Sequence, residues 1–514
     1  MKIASLKTIR ELEQQAHAAV RCGGPTLMEK ASMHCARRIH AFKHSRSALG
    51  NLEITVLAGK GNNGGDGILT GGYLARHFNE KVTVYSLQSP SEMSDEIRRH
   101  FFSLPSDVSV IFVKNPSDFP DFSKPCLIVD ALLGIGVHGE LRGLAKDLIE
   151  SVNSSDNPVI SIDIPSGIET DTGIGKGAIF ADMTVTIGAE KAGLYINDGR
   201  IHSGIVNFAD IGFDLAQIPD NDMNFDVIPH DILKRIYCRR QTELYKTLNG
   251  KLLVIGGSVS YPGAVVLTAL GASSTGCGLL TTAIKSRPFC AIPPDIIVSD
   301  FSCEGENCFN RSDCERLIAL AEKQNAVVFG MGVTANSNTA DVLKELLKLP
   351  QKMVLDADAL NTLAMFPELL QYKKHSNIII TPHAQEALRL AQAFDIKGFA
   401  EMSRIEQSST LSNRLNCTVV LKGDKSLIAS PDGRIMVNQK GSAALAKGGS
   451  GDILSGIIGG LLSRENGLSC HEIAAAGVYL HSISSDFAVQ SCSAFNISHL
   501  PDAVRSYLDS ITLF

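Results

Sequence analysis

The chain has 514 residues, 44% of them hydrophobic and 20% charged, with a formal net charge of -6. A mass of 55.0 kDa and a mean hydropathy of +0.09 supply apolar surface for two large domains and exclude wholesale disorder. The acidic balance, pI near 6.2, excludes a chain whose main work is holding nucleic acid or an anionic membrane, because both need a basic face.

From its start, MKIASLKTIRELEQQ is charged throughout and lacks the apolar stretch of a signal peptide. No run reaches the roughly 18–20 apolar residues of a transmembrane helix, so a soluble, cytoplasmic protein is expected. Apolar runs then alternate with helical patterns: ITVLAG (54–59), VTVYSL (82–87), VSVIFV (108–113), LIVDAL (127–132), PVISIDIP (158–165) and MTVTIGA (183–189). Such strands suit a sheet buried on both faces, with crossover helices between them. The expectation is an α/β domain on a doubly wound sheet.

Three loops at strand ends carry the chemistry of this half. AGKGNNGGDG (58–67) follows a strand, and the helical stretch ILTGGYLARHF follows it. The four glycines from Gly61 to Gly67 allow a sharp turn and close approach of a ligand, and the helix behind them offers N–H groups to a phosphate. Asn62, Asn63 and Asp66 add polar groups that a mere turn would not require. Asp130 ends a later strand and opens the glycine loop 134–139; Asp163 ends another, followed by Pro165, Ser166 and Gly167. Each aspartate alone is more often a helix cap than a catalyst, but three such loops converge on one crevice of a doubly wound sheet. Lys191 follows a further strand end.

Between 214 and 240 the alternation breaks down, and the domain boundary is expected there. It restarts with KLLVIGG (251–257), LLTTAI (279–284), AVVFGMG (326–332), MVLDAD (353–358), IIITPH (378–383), TVVLKG (418–423) and SLIAS (426–430). A second α/β domain follows. The small residues after KLLVIGG suit tight packing of a helix on a sheet, and KGDKS reads as a hairpin tip able to lie over a nucleotide. The sharpest motif is LAKGGSGDILSGIIGGLL (445–462), where Gly448, Gly449 and Gly451 precede Asp452 at a helix start. A helix N-terminus stabilises phosphate charge and a carboxylate beside it can take a hydroxyl proton, which suits phosphoryl transfer; an ordinary cap is the alternative. Twelve cysteines are scattered without a CxxC pair. Cys303, Cys308 and Cys314 lack a fourth zinc ligand, so reduced thiols are expected.

GNNGGDG, VDALLGIG, DIPSG and EKAGL resemble the NAD(P)H-hydrate epimerase family over roughly 1–215. LMEKAS (27–32) resembles its opening helix, with Ser32 where glycine is usual. The resemblance implies a Rossmann-like fold interconverting the R and S hydrates of NADH and NADPH (NADHX and NADPHX). It implies substrate contacts at Asn62, Asn63, Gly64, Gly65 and Asp66 and at Gly134, Ile135, Gly136, Val137, His138, Gly139 and Glu140. It also implies a potassium ion on Asn63, Asp130 and Ser166, and Asp163 at the nicotinamide with Lys191 nearby. A carboxylate beside an ammonium can assist loss and return of water without consuming a cofactor.

YPGA, GMG, LDADALN, TPH, LKG and GGSGDILSG, in that order, resemble the ADP-dependent NAD(P)H-hydrate dehydratases of the ribokinase-like superfamily over roughly 228–514, with 216–227 as linker. This implies hydrate contacts at Ala264, Gly332, His383 and Asp452, and nucleotide contacts at Lys422, Gly423, Asp424, Lys425, Ser426 and Gly451, with ADP and Mg2+. Two departures stand out: PHAQE, with Ala384 and Gln385, replaces the family's PHPGE, and Tyr245-Lys246-Thr247 replaces HKG. The pair of domains is similar to a repair family in which the epimerase feeds an S-specific dehydratase. A small-molecule alcohol kinase with a non-catalytic first domain is the competing reading, since Asp452 suits both. No nucleic-acid or membrane partner is expected, and a homo-oligomer is compatible with the pattern.

Overall fold

The computed structural model describes residues 2–19, 24–219, 222–229, 231–237, 249–288, 290–303, 306–465, 467–491 and 495–512. Tyr245-Lys246-Thr247 therefore lie outside the described residues. The chain divides into two compact units between Asn224 and Phe225. Among the described residues, no helix is long and apolar enough to cross a membrane.

The first unit contains β1 (Ile3–Ala4), β2 (Glu53–Ala58), β3 (Val82–Ser86), β4 (Ser109–Phe112), β5 (Cys126–Ala131), β6 (Val159–Ile162), β7 (Met183–Ile187), β8 (Glu190–Lys191) and β9 (Ile205–Ala209). Seven of these form one sheet in the order β4-β3-β2-β5-β6-β7-β9, with every pair parallel. The chain winds outward from β2 through β3 to β4, then returns to β5 on the other side. The order reverses between β2 and β5, so the loops leaving those strands part and open a crevice. β9 was not foreseen, because IVNFA is broken by a polar residue. β1 and β8 form a separate parallel pair that fixes Glu190 and Lys191 against the N-terminus.

The glycine motif differs from expectation. The helix Asn62–Phe78 starts at Asn62, with Gly61 as its N-cap, so GNNGGDG is mostly helix rather than the loop before one. Packing is the reason. A Cβ at Gly64 would stand 2.1 Å from the Gly59 carbonyl oxygen, and one at Gly67 would stand 2.5 Å from the Ala131 side chain. The glycines let the first turns press onto β2 and β5.

The second unit contains β10 (Asp226–Val227), β11 (Lys251–Gly256), β12 (Leu279–Ile284), β13 (Ile297–Asp300), β14 (Ala326–Phe329), β15 (Lys352–Leu355), β16 (Ile378–Ile380), β17 (Thr418–Leu421), β18 (Leu427–Ala429) and β19 (Ile435–Val437). Their order is β10-β19-β18-β17-β16-β15-β14-β11-β12-β13. The strands from β13 to β17 are parallel, whereas β17–β18 and β18–β19 are antiparallel. The KGDKS segment is thus a hairpin tip, and its second strand is paired on both sides rather than lying at the sheet edge. The helices Ala264–Ser274 and Ser450–Leu462 pack backbone to backbone: a Cβ at Gly456 would stand 1.9 Å from the Thr268 oxygen, and one at Gly271 would stand 2.4 Å from that of Ile453. That close crossing holds the start of the helix bearing Asp452.

Two candidate active sites

A cleft of about 660 Å³ lies off the carboxyl ends of β2, β5, β6 and β7. Asn62, Asn63, Asp66, the whole loop from Gly134 to Glu140, Asp163 and Lys191 line it. Gly64 and Gly65 sit behind this wall, buried in the helix packing. At its heart, Lys191 Nζ is 2.7 Å from Asp163 Oδ1 and donates to Thr186 Oγ1, Ile187 O and Ala189 O at 2.9–3.1 Å. Asp163 accepts from the Ile187 N–H at 3.1 Å and holds the left-handed φ of +72°, unusual for an aspartate. Both partners are therefore fixed by backbone.

Three further carboxyl groups surround the pair or lie beneath it. Burial, then the neighbouring Asp163, pushes Asp66 well above the usual carboxylate range and raises Glu13 as well. Asp130 is buried beneath the floor, accepting from Ser161 Oγ at 2.7 Å, Ser166 N at 2.9 Å and Ser166 Oγ at 2.5 Å. Burial raises its pKa despite those donors. Ser166 Oγ also accepts from the Leu133 N–H at 2.8 Å, while Asn63 Nδ2 donates to Leu133 O at 2.9 Å. Asn63, Asp130 and Ser166 are thereby joined through Leu133, and Asn63 Oδ1 is buried with no hydrogen-bond partner among the described residues.

In the second unit a cleft of about 880 Å³ is lined by His383, Lys422, Gly423, Asp424, Ser426, Gly451 and Asp452. Gly449, with φ +89°, caps the helix whose first turn holds Asp452. Burial first, then the nearby Asp356 carboxylate, pushes Asp452 up to about 7, against the pull of Lys422. Lys422 Nζ is 2.8 Å from Asp356 Oδ1, and Ser455 Oγ donates to Asp356 Oδ2 at 2.6 Å. Burial opposes the Lys422 charge, but Asp356 and Glu386 outweigh it and raise its pKa. A Cβ on Gly451 would face this pair, 3.5 Å from Lys422 Nζ. His383 caps the helix Ala384–Ala393, its Nδ1 accepting the N–H of Gln385 at 3.1 Å. Gln385 thus enters through its backbone, while Ala384 and Gln385 are exposed.

Three predicted residues fall outside this lining. Ala264 and Gly332 stand together, 3.3 Å between the Ala264 Cβ and a Cβ built on Gly332, and Lys425 is buried. Sequence reasoning in turn missed Arg10, Glu13 and Phe213 in the first cleft, and Asp356, Lys440, Lys447 and His481 in the second. Asp356 had a signal, the acidic strand end LDAD. His481, in mid-helix, had none: it contacts Ser450 at 3.1–3.2 Å, and burial brings it down to about 4.

Two α/β units, each with a charged cleft at its strand ends, define a two-site enzyme for phosphate-bearing ligands. The family described as YjeF-related protein N-terminus matches residues 24–193, and that described as NAD(P)H-hydrate dehydratase matches 252–506. A bifunctional NAD(P)H-hydrate repair enzyme of Moorella thermoacetica is 29% identical, covering 95% of this chain and 93% of its own length. Its counterpart from Methanothermobacter thermautotrophicus is 31% identical, covering 94% and 91%. A solved ribokinase-like superfamily protein from Enterococcus faecalis, 24% identical with a TM-score of 0.48, covers 56% of this chain and 96% of its own. The chain belongs to the family of bifunctional NAD(P)H-hydrate repair enzymes.

Proposed function

We propose that the first cleft interconverts the R and S hydrates of NADH and NADPH, and that the second dehydrates the S form with ADP, giving NAD(P)H, AMP and phosphate. Residues 1–215 are the epimerase domain and 228–514 the dehydratase, joined by 216–227, whose last two residues already pair with β19 of the second unit. The enzyme works on free metabolites in the cytoplasm.

The observation that carries this reading is Asp452, a carboxyl titrating near neutrality at a glycine-opened helix start beside Lys422. As carboxylate, Asp452 takes the proton of the hydrate hydroxyl while that oxygen attacks the terminal phosphorus of ADP. The hydroxyl, a poor leaving group, becomes a phosphate ester; it departs as phosphate while the neighbouring ring carbon gives up a proton to water, and the electrons of that C–H bond re-form the ring double bond. The N–H at Gly451, in the first turn of the helix, stabilises charge on the transferred group, and Lys422 to Ser426 hold the nucleotide. Lys440 and Lys447 on the cleft wall offset phosphate charge. Magnesium accompanies ADP, and the cleft's carboxylates suit an ion that keeps several waters and binds mainly through substrate phosphates.

In the first cleft Asp163 handles the proton on the hydrate, and Lys191, tied down by four oxygen partners, sets its position. Asn63, Asp130 and Ser166 fit a potassium ion. The buried Asn63 Oδ1 lacks a partner among the described residues, and the neighbouring donors are all hard oxygens. Bound there, the ion would supply fixed positive charge beneath the dinucleotide.

The test is turnover of mixed R and S NADHX with ADP, followed by nicotinamide absorbance. Full recovery with stoichiometric AMP supports the reading. Nucleotide consumption only with another alcohol, leaving NADHX untouched, would replace it with the kinase reading.

A further inference from the structure

A third cluster of potential ligands lies apart from both clefts. On the helix Leu27–Ser45, His40 and His44 stand one turn apart on one face. Glu80 follows the left-handed Asn79 that ends the helix Asn62–Phe78, and it reaches between the two imidazoles. His40 Nδ1 is 2.8 Å and His44 Nε2 2.9 Å from the same oxygen, Glu80 Oε1. The three donor atoms all lie within 4.8 Å of one another. Lys43 holds the other oxygen, Oε2. The Glu80 side chain is only 5% exposed, whereas those of His40 and His44 are 32% and 47% exposed.

Two imidazole nitrogens and one carboxylate oxygen, open to water on one side, make a donor set for a tetrahedral borderline ion with a water as fourth ligand. The carboxylate is already oriented: the Lys43 bond leaves Oε1 as the single ligating oxygen, the role that outer-shell partners play around metal ligands. The His40 ring is likewise steadied by stacking on Phe78, with centroids 4.5 Å apart. A divalent ion would replace two N–H···O bonds with coordination bonds and need little rearrangement.

We propose that His40, His44 and Glu80 bind a divalent transition ion of the zinc class, clamping the helix Leu27–Ser45 to the end of the helix Asn62–Phe78. The opposite end of the second helix carries Asn63 and Asp66 of the first cleft, and Ser32 of the first helix donates to Asp66 O at 3.1 Å. The clamp therefore braces the frame of that site without entering it.

Cobalt(II) added to the full-length protein is the probe. One equivalent should give the visible d–d absorption of four-coordinate cobalt with no thiolate charge-transfer band, and zinc(II) should bleach it. His44→Gln, at a half-exposed position, should weaken binding at least tenfold without changing the circular dichroism, as should Glu80→Gln. Zinc(II) should raise the Tm of the wild type and not that of His44→Gln. The proposal is overturned if the wild type shows no such band, if the band survives both substitutions, or if thiolate charge transfer places the ion on cysteines.

Discussion

Both clefts contain a lysine beside an aspartate, yet they arrange the charges in opposite ways. In the first, Lys191 is paired with Asp163 itself, the residue assigned to the chemistry, at 2.7 Å. In the second, Lys422 is taken by Asp356 at 2.8 Å, and Asp452, one turn into a helix, is left to burial and to the Asp356 charge. The first arrangement holds a carboxylate in place for a reaction that must run in both directions. The second leaves a carboxyl near pH 7, able to accept a proton once per cycle. Under the proposed function, the same residue types would serve a reversible and a one-way reaction, according to which acid claims the ammonium.

The sharpest way to break this contrast is to neutralise one acid at a time. Asp452→Asn should lower S-hydrate dehydration by about 100- to 10,000-fold, the usual share of a positioned general base. The R/S interconversion, followed by chiral chromatography, should be unchanged. Asp163→Asn should do the converse, slowing interconversion by about 100-fold or more while dehydration of pure S hydrate keeps its rate. Dehydration should also depend on pH, falling by about tenfold per unit below the Asp452 value near 7 and levelling above it.

Smaller effects separate glycines that pack from glycines that bind. Gly64→Ala would push a Cβ to 2.1 Å from a backbone oxygen and should destabilise the first unit by about 1–3 kcal/mol, seen as a lower Tm. Gly451→Ala meets only ordinary contacts, so the fold should hold while ADP affinity drops in calorimetry. Asp452 also has a pH-dependent effect on stability. Folding raises the Asp452 pKa, so ionising it costs stability progressively from the ordinary carboxylate range up to about 7, and fully above that. Asp452→Asn should therefore leave stability nearly unchanged at pH 4 and raise it by about 1–3 kcal/mol at pH 8 in urea unfolding.

Much of this was legible because strand ends announce themselves: an apolar run stops at Asp130, Asp163 or a glycine, and in a parallel sheet such ends face one crevice. The GNNGGDG segment could be placed on that basis, and GGSGDILSG from glycines that precede an apolar helix. The conformation of the first could not, since Gly64 is in a helix for the sake of contact with Gly59, which no local pattern encodes. Pairings across the fold were equally hidden. Lys422 and Asp356 are 66 residues apart, and Glu13 and Phe213 reach the first cleft from opposite ends of their unit. β13 escaped because IVSD lies half-exposed without an apolar run. Glu80 shows the same limit: nothing near it in the chain announces that it meets His40 and His44.

One experiment bears on the division of labour between the two clefts. Asp163→Asn and Asp452→Asn proteins would be mixed in equal amounts and given R and S NADHX with ADP. Each alone should stall, the first after the S fraction is spent and the second at the outset, whereas the mixture should restore all the NADH. Failure of the mixture, with each variant folded, would mean that the two reactions do not occupy separable sites.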